Sequence, residues 1–469
     1  MIRRPRKYSI GWLLILLWQA SLCGANELPA SVTAALKQAN IPIEAAGVFV
    51  QEVEEREPLF ALNGQTAFSP ASTMKLVTTG AALDLLGPAF TWKTQVYASG
   101  VQSGDVLQGD LIFRGGGDPK LVIEKFWLLL RQIRATGIRE IRGNVLVDRS
   151  AFEAVRYDAA QFDNDPLKPY NAPPDAMLLN YGILRFQFFP EAGRTRIAVD
   201  PPLAGYTLAA PLQAGGGCGD WQSRLLAGFG TNGARFDGSY ASDCGTRTWY
   251  VHPYGMSYNQ YFAAIFRQMW RDAGGVFDGM VDNGNVPVNA RPVATWESPS
   301  LAEVIRDINK FSNNVMARQL LLTLGGGDAP ANAARGAQSV RSWLSGKGIA
   351  APELQIENGS GLSREERMAP ASMGQLLLVA YKSPTMPEFL ASLPIAGYDG
   401  TMRHRSADQG VAGNAHIKTG TLDGVKAEAG YVQAASGKRY VIVFFVNHAN
   451  AARAEAAQDA LLAWLYAHG

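Results

Sequence analysis

From about residue 92 to residue 255 the chain breaks into short β-like runs separated by glycine and proline, while both flanks carry helical patterns. The runs are Thr94–Tyr97, Val106–Phe113, Asn144–Asp148, Ile183–Phe188 and Arg196–Val199. Before them the pattern predicts a helix over Ala30–Gln38, an alternating strand over Gly47–Glu54 and a second strand over Pro58–Leu62. A helix over 70–86 follows, with Pro70 at its first position and Gly87-Pro88 as its stop. After them come helices over Tyr258–Trp270, Leu301–Lys310, Val315–Leu324 and Ala331–Gly346, then strands near 414–421, 427–433 and 439–446 and a helix over 450–467. Antiparallel strands flanked by helices at both ends predict one α/β (α+β) domain interrupted by a large β-rich insertion of one or two small domains. The expected division is 26–91 with 291–469 as one discontinuous domain and 92–290 as the inserted block. A chain of 469 residues has the length for such a division.

Residues 1–25 read as a secretory signal peptide. Arg3, Arg4, Arg6 and Lys7 precede an apolar run from Ile10 to about Leu22, and Cys23-Gly24-Ala25 offers a small-residue exit. Export to the periplasm follows, with cleavage near Ala25 and no transmembrane span expected in the mature chain. The formal charge of +2, from 43 basic and 41 acidic residues, lacks the basic excess of a nucleic-acid binder. Cys218 and Cys244 remain after the signal, and in an oxidising compartment they read as a disulfide. The five histidines are scattered with no His-Glu-x-x-His, so no metal site and no cofactor are expected.

Three motifs carry chemistry. Ser72-Thr73-Met74-Lys75 is the one Ser-x-x-Lys in the chain, and residues three apart share a helix face, so hydroxyl and amine can meet. At a helix start the free backbone N–H groups also face developing negative charge. Lys418-Thr419-Gly420-Thr421 lies in a strand-like run, where glycine permits close approach of another backbone. Ser-x-Asn occurs twice. Ser257-Tyr258-Asn259 opens an apolar helix and reads as an N-cap. Ser312-Asn313-Asn314 sits between two helical patterns, the better placement for a cleft.

Taken together, Ser72/Lys75, Ser312/Asn314 and Lys418-Thr419-Gly420 resemble the triple of penicillin-binding proteins and serine β-lactamases. About 240 residues separate Ser72 from Ser312, and this resembles the class C low-molecular-mass penicillin-binding proteins, the DacB-type D-alanyl-D-alanine carboxypeptidase/endopeptidases. Residues 113–119 (Phe-Arg-Gly-Gly-Gly-Asp-Pro), 359–364 (Gly-Ser-Gly-Leu-Ser-Arg) and 393–401 agree. Asn313 and Asn358 stand where aspartate is usual.

The resemblance implies a β-lactamase/transpeptidase-like domain and acyl transfer on peptidoglycan stem peptides ending in D-Ala-D-Ala. β-Lactams would act as mimics. It makes Ser72 the nucleophile, Lys75 its base, Ser312 and Asn314 the proton relay, and Lys418, Thr419, Gly420 and Thr421 the substrate-binding strand. Two rivals are a β-lactamase and a non-catalytic cell-wall-binding protein on the same fold. Against the first, Ala176-Met177-Leu178-Leu179-Asn180 has alanine where a deacylating glutamate would stand, and no Tyr-x-Asn occurs. Against the second, every required group is present. Arg403-His404-Arg405 reads as a solvated surface run.

Overall fold

The computed structural model describes residues 27–191, 194–406 and 410–469; the signal-peptide reading lies outside these. A four-stranded antiparallel sheet runs in the order Ala46–Glu52, Arg439–Asn447, Val425–Gln433, Ala415–Leu422. Arg439–Asn447 is a near-continuous apolar run because both of its faces are covered. Side chains alternate between faces: Val441, Val443 and Phe445 enter one core, Ile442, Phe444 and Val446 the other. On the first face lie the helices Met74–Leu86, Leu301–Lys310, Asn314–Leu324 and Pro370–Tyr381; on the second lie Ala30–Gln38 and Glu455–His468.

Met74–Leu86 is buried on every side from Met74 to Leu83, which its lack of a polar face requires. A 3₁₀ turn, Ala71–Thr73, leads into it, and Gly87 ends it at φ 82°.

Between these two parts, Lys93–Ala98 pairs antiparallel with Arg291–Glu297, so the outgoing and returning chains lie side by side. The intervening stretch forms a second core from Val96 to Phe277. Its strands make a five-stranded sheet, smaller sheets of four and three strands, and a four-stranded group around Gly233–Tyr240. The helices Ile123–Ala135 and Tyr258–Asp272 add their apolar faces to this core.

Two sequence expectations are corrected. Pro58–Leu62 makes only an isolated bridge, Val50 with Phe60, because the loop crosses the edge of Ala46–Glu52 for just a few hydrogen bonds. Val106–Phe113 is two strands in different sheets, Val106–Gln108 and Leu111–Arg114. The break is at Gly109, where a Cβ would lie 1.8 Å from the Ser99 carbonyl oxygen.

The 113–119 stretch docks the inserted strands onto the helices. Gln319 on Asn314–Leu324 donates to the carbonyls of Gly117 (3.2 Å) and Asp175 (2.9 Å) and accepts from the Asp175 N–H. Lys120 pairs with Asp307 at 2.6 Å. Gly115 packs so tightly on the Ala176 carbonyl that a Cβ would come within 2.2 Å of it.

Cys218 and Cys244 are bonded as a disulfide that closes a segment with sequence separation 26. Loop-closure entropy for that length is worth about 3 kcal/mol. The double serine variant should therefore melt first, and be clipped first by protease, within residues 184–251, yet still acylate with a β-lactam at low temperature. Loss of acylation in the folded variant contradicts this.

Candidate active site

The three motifs converge at the start of the buried helix. Lys75 has 0% exposure and projects back toward Ser72, its Nζ 3.1 Å from Ser72 Oγ, and donates to Asn314 Oδ1 at 2.5 Å and to the Ser360 carbonyl at 2.5 Å. Burial pushes the Lys75 amine well below its ordinary value, and the nearby Lys418 cation adds to this. Ala71, just before Ser72, sits at φ 44°, the left-handed region that non-glycine residues seldom adopt.

Ser312 also has a left-handed backbone, φ 56°, as the chain reverses between Leu301–Lys310 and Asn314–Leu324. Asn313 caps the second helix, its Oδ1 accepting from the Met316 N–H at 3.0 Å. Asparagine and aspartate are equally good there, which accounts for the departure at this position. Lys418 Nζ donates to Ser312 Oγ at 2.9 Å and to the Thr419 carbonyl at 2.6 Å. Burial lowers Lys418 to about 7. Ser312 thus meets Lys418 while Asn314 meets Lys75, so the two residues expected to form the relay divide between the two lysines. Ser257 caps Tyr258–Asp272 in a full capping box, and Asn259 accepts from Arg149 at 2.7 Å, away from these groups.

Ala415–Leu422 is the sheet edge beside Ser72. A Cβ on Gly420 would lie 2.8 Å from the Ser72 nitrogen and 3.0 Å from the Pro70 carbonyl, so glycine alone allows this approach. The Ile417 N–H points off the edge to the Pro394 carbonyl at 2.8 Å. By the antiparallel alternation the backbone groups of Thr419 and Thr421 face the same outer side. Thr419 Oγ1 lies 2.7 Å from Thr401 Oγ1.

Groups without a role in the sequence reading complete the site. Lys310 is nearly buried and holds the 393–401 loop, pairing with Asp399 at 2.6 Å and donating to the Leu393 carbonyl at 2.8 Å. Asn358 accepts from the Ser360 N–H and hydroxyl, at 3.0 and 2.6 Å, and so serves where aspartate is usual. Glu366 gathers the same loop from beneath. The spacing of glycines at 359 and 361 was the available signal for this tight loop. Arg405 is a correction: its side chain is 10% exposed and bonds Asp459 at 2.6 Å and buried Glu428 at 3.3 Å. A solvated run would not seek carboxylates on the sheet and the last helix.

Known proteins share this arrangement of chain. The sequence is 29% identical over 470 residues to a D-alanyl-D-alanine carboxypeptidase of Actinomadura sp., covering 95% of this chain and 85% of that protein. It is 27% identical over 411 residues to the D-alanyl-D-alanine carboxypeptidase DacB of Haemophilus influenzae, covering 86% and 85%. The crystal structure of penicillin binding protein 4 (dacB) from Haemophilus influenzae superposes with a TM-score of 0.77 at 25% identity, covering 93% of this chain and 99% of that one. With a family model matching residues 28–468, this chain belongs to the D-Ala-D-Ala carboxypeptidase 3 (S13) family.

Proposed function

We propose that the protein is a serine D-Ala-D-Ala carboxypeptidase that removes the terminal D-alanine of peptidoglycan stem peptides through a Ser72 acyl-enzyme, and that it also cleaves peptide cross-links. The observation that carries this is the coordination of Lys75. A neutral amine has two N–H donors and one lone pair. Asn314 Oδ1 and the Ser360 carbonyl take the donors, leaving the lone pair for the Ser72 hydroxyl at 3.1 Å. Burial and the Lys418 charge keep the amine neutral enough to act as a base.

Ser72 Oγ then attacks the penultimate carbonyl carbon as its proton passes to Lys75. The N–H groups of Ser72 and Thr421 hold the oxyanion, each worth about 3 kcal/mol. As the C–N bond breaks, Ser312 passes a proton to the departing D-alanine amine and is reprotonated from the lysines. Lys418, with Thr419, binds the terminal carboxylate, and Gly420 keeps the strand close to Ser72. Water, deprotonated by the same base, releases the shortened peptide. When the departing amine belongs to a cross-linking residue, these steps amount to endopeptidase cleavage. β-Lactams acylate Ser72 in the same way.

We place the catalytic unit in residues 26–91 and 291–469 and the inserted block in 92–290; separate apolar cores on the two sides support this division. Export to the periplasm is supported by the charged and apolar N-terminal sequence and by the disulfide. No helix among the described residues is long and apolar enough to cross a membrane. The test is D-alanine release from a peptide ending in D-Ala-D-Ala. Turnover blocked by a stoichiometric β-lactam is expected. A protein that binds the β-lactam covalently but releases no D-alanine would favour the non-catalytic reading, and rapid β-lactam hydrolysis the β-lactamase one.

A further inference from the structure

Glu366 is a carboxylate with 0% exposure and no cation among its hydrogen-bond partners. Such a group is costly to bury, so its surroundings must hold it strongly. They do so with backbone alone. Oε1 accepts the N–H groups of Glu357 (3.2 Å), Asn358 (3.0 Å) and Gly359 (2.7 Å), and Oε2 accepts that of Gly361 (2.8 Å). The loop can wrap one side chain this closely because Gly359 and Gly361 adopt φ 71° and 80°. Gly361 also lies against the nucleophile turn, where a Cβ would be 1.8 Å from the Ala71 carbonyl oxygen. Between those glycines the Ser360 carbonyl is turned onto Lys75 Nζ at 2.5 Å.

All four partners of Glu366 are donors, so a proton on either oxygen would find no acceptor among them. Burial raises the Glu366 carboxyl above its ordinary value, while the four backbone N–H groups oppose that rise. Burial disfavours the ammonium form of Lys75; the Lys418 and Arg318 charges add to this and the Glu366 charge opposes it.

We propose that ionised Glu366 is a positioning residue for the Ser72–Lys75 pair: it gathers the loop that fixes the Ser360 carbonyl on Lys75 and places a buried negative charge behind that loop. It touches neither substrate nor nucleophile and acts through the loop and its field. This rests on Lys75 being the base for Ser72.

The test uses Glu366→Gln in the full-length protein. Its second-order rate of acylation by a β-lactam is followed from about pH 4 to 9, a range spanning the carboxylate and perturbed lysine regions. Removing the anion favours neutral Lys75, so the acidic limb should move down by about one pH unit. The plateau should fall about tenfold, because the base is weaker and less well held. A purely structural role lowers the rate without moving the limb. An unmoved limb, or one displaced upward, overturns the inference.

Glu366→Asp keeps the charge and shortens the reach, so its limb should stay at the wild-type pH while its plateau falls. A downward shift there also overturns the inference, and this variant decides the matter should the glutamine variant not fold. Failure of the underlying reading looks different: Ser72→Ala protein would still be acylated, or the wild type would show no acidic limb.

Discussion

Ser72→Ala is expected to abolish covalent labelling by a β-lactam and D-alanine release while leaving the melting temperature nearly unchanged. The hydroxyl contributes one hydrogen bond, with Lys75 Nζ at 3.1 Å. When it is removed, Lys75 keeps Asn314 and the Ser360 carbonyl, so no buried donor is stranded. The turn that carries residue 72 is held by backbone, with the Thr73 N–H bonded to the Pro70 carbonyl at 3.1 Å. The expected stability change is therefore within about 1 kcal/mol. The proposed chemistry, by contrast, loses the hydroxyl oxygen that faces Lys75 Nζ. Labelling that persists in the folded variant would place the nucleophile elsewhere.

The second large effect separates the two Ser-x-Asn sites. Ser312→Ala should slow turnover by about 100-fold or more, the usual loss when a positioned proton donor is removed. Its hydroxyl accepts from Lys418 at 2.9 Å, two residues along the same turn from Lys75's partner Asn314. Ser257→Ala should instead cost about 1 kcal/mol of stability through the lost cap. It should spare acylation, because the Ser257 hydroxyl serves the Gln260 N–H of its own helix. Steady-state kinetics and thermal melts on both variants check the pair. The opposite pattern would mean that the relay is the Ser257 site.

Much of the chemistry was legible because it sits in short contiguous motifs. Ser72 and Lys75 share one helix face, Lys418 to Thr421 share one strand, and local periodicity placed both. The strands of this sheet could be read for the same reason: apolar runs such as the inner strand Arg439–Asn447 are buried on both faces. Pro370–Tyr381 was missed because its apolar residues lie all round the helix and give no periodic stripe. Ile123–Ala135 does present an apolar stripe, but it lay inside a stretch dominated by short strands. Gly109 was read as part of a strand because the Ser99 carbonyl that forces the break is ten residues away in sequence.

Glu366, Lys310 and Arg405 were hidden for a common reason. Each is a charged residue whose burial depends on partners brought in by the tertiary fold: loop N–H groups for Glu366, Asp399 for Lys310, and Glu428 with Asp459 for Arg405. Sequence alone favours a solvated reading of such residues.

The central claim is that one serine, at the start of the buried helix, carries the acyl group. Incubation of the exported protein with a β-lactam, digestion and tandem mass spectrometry test it most directly. The account predicts a single stoichiometric adduct on the peptide containing Ser72. An adduct on any other residue, or full inhibition of D-alanine release with Ser72 unmodified, would contradict it.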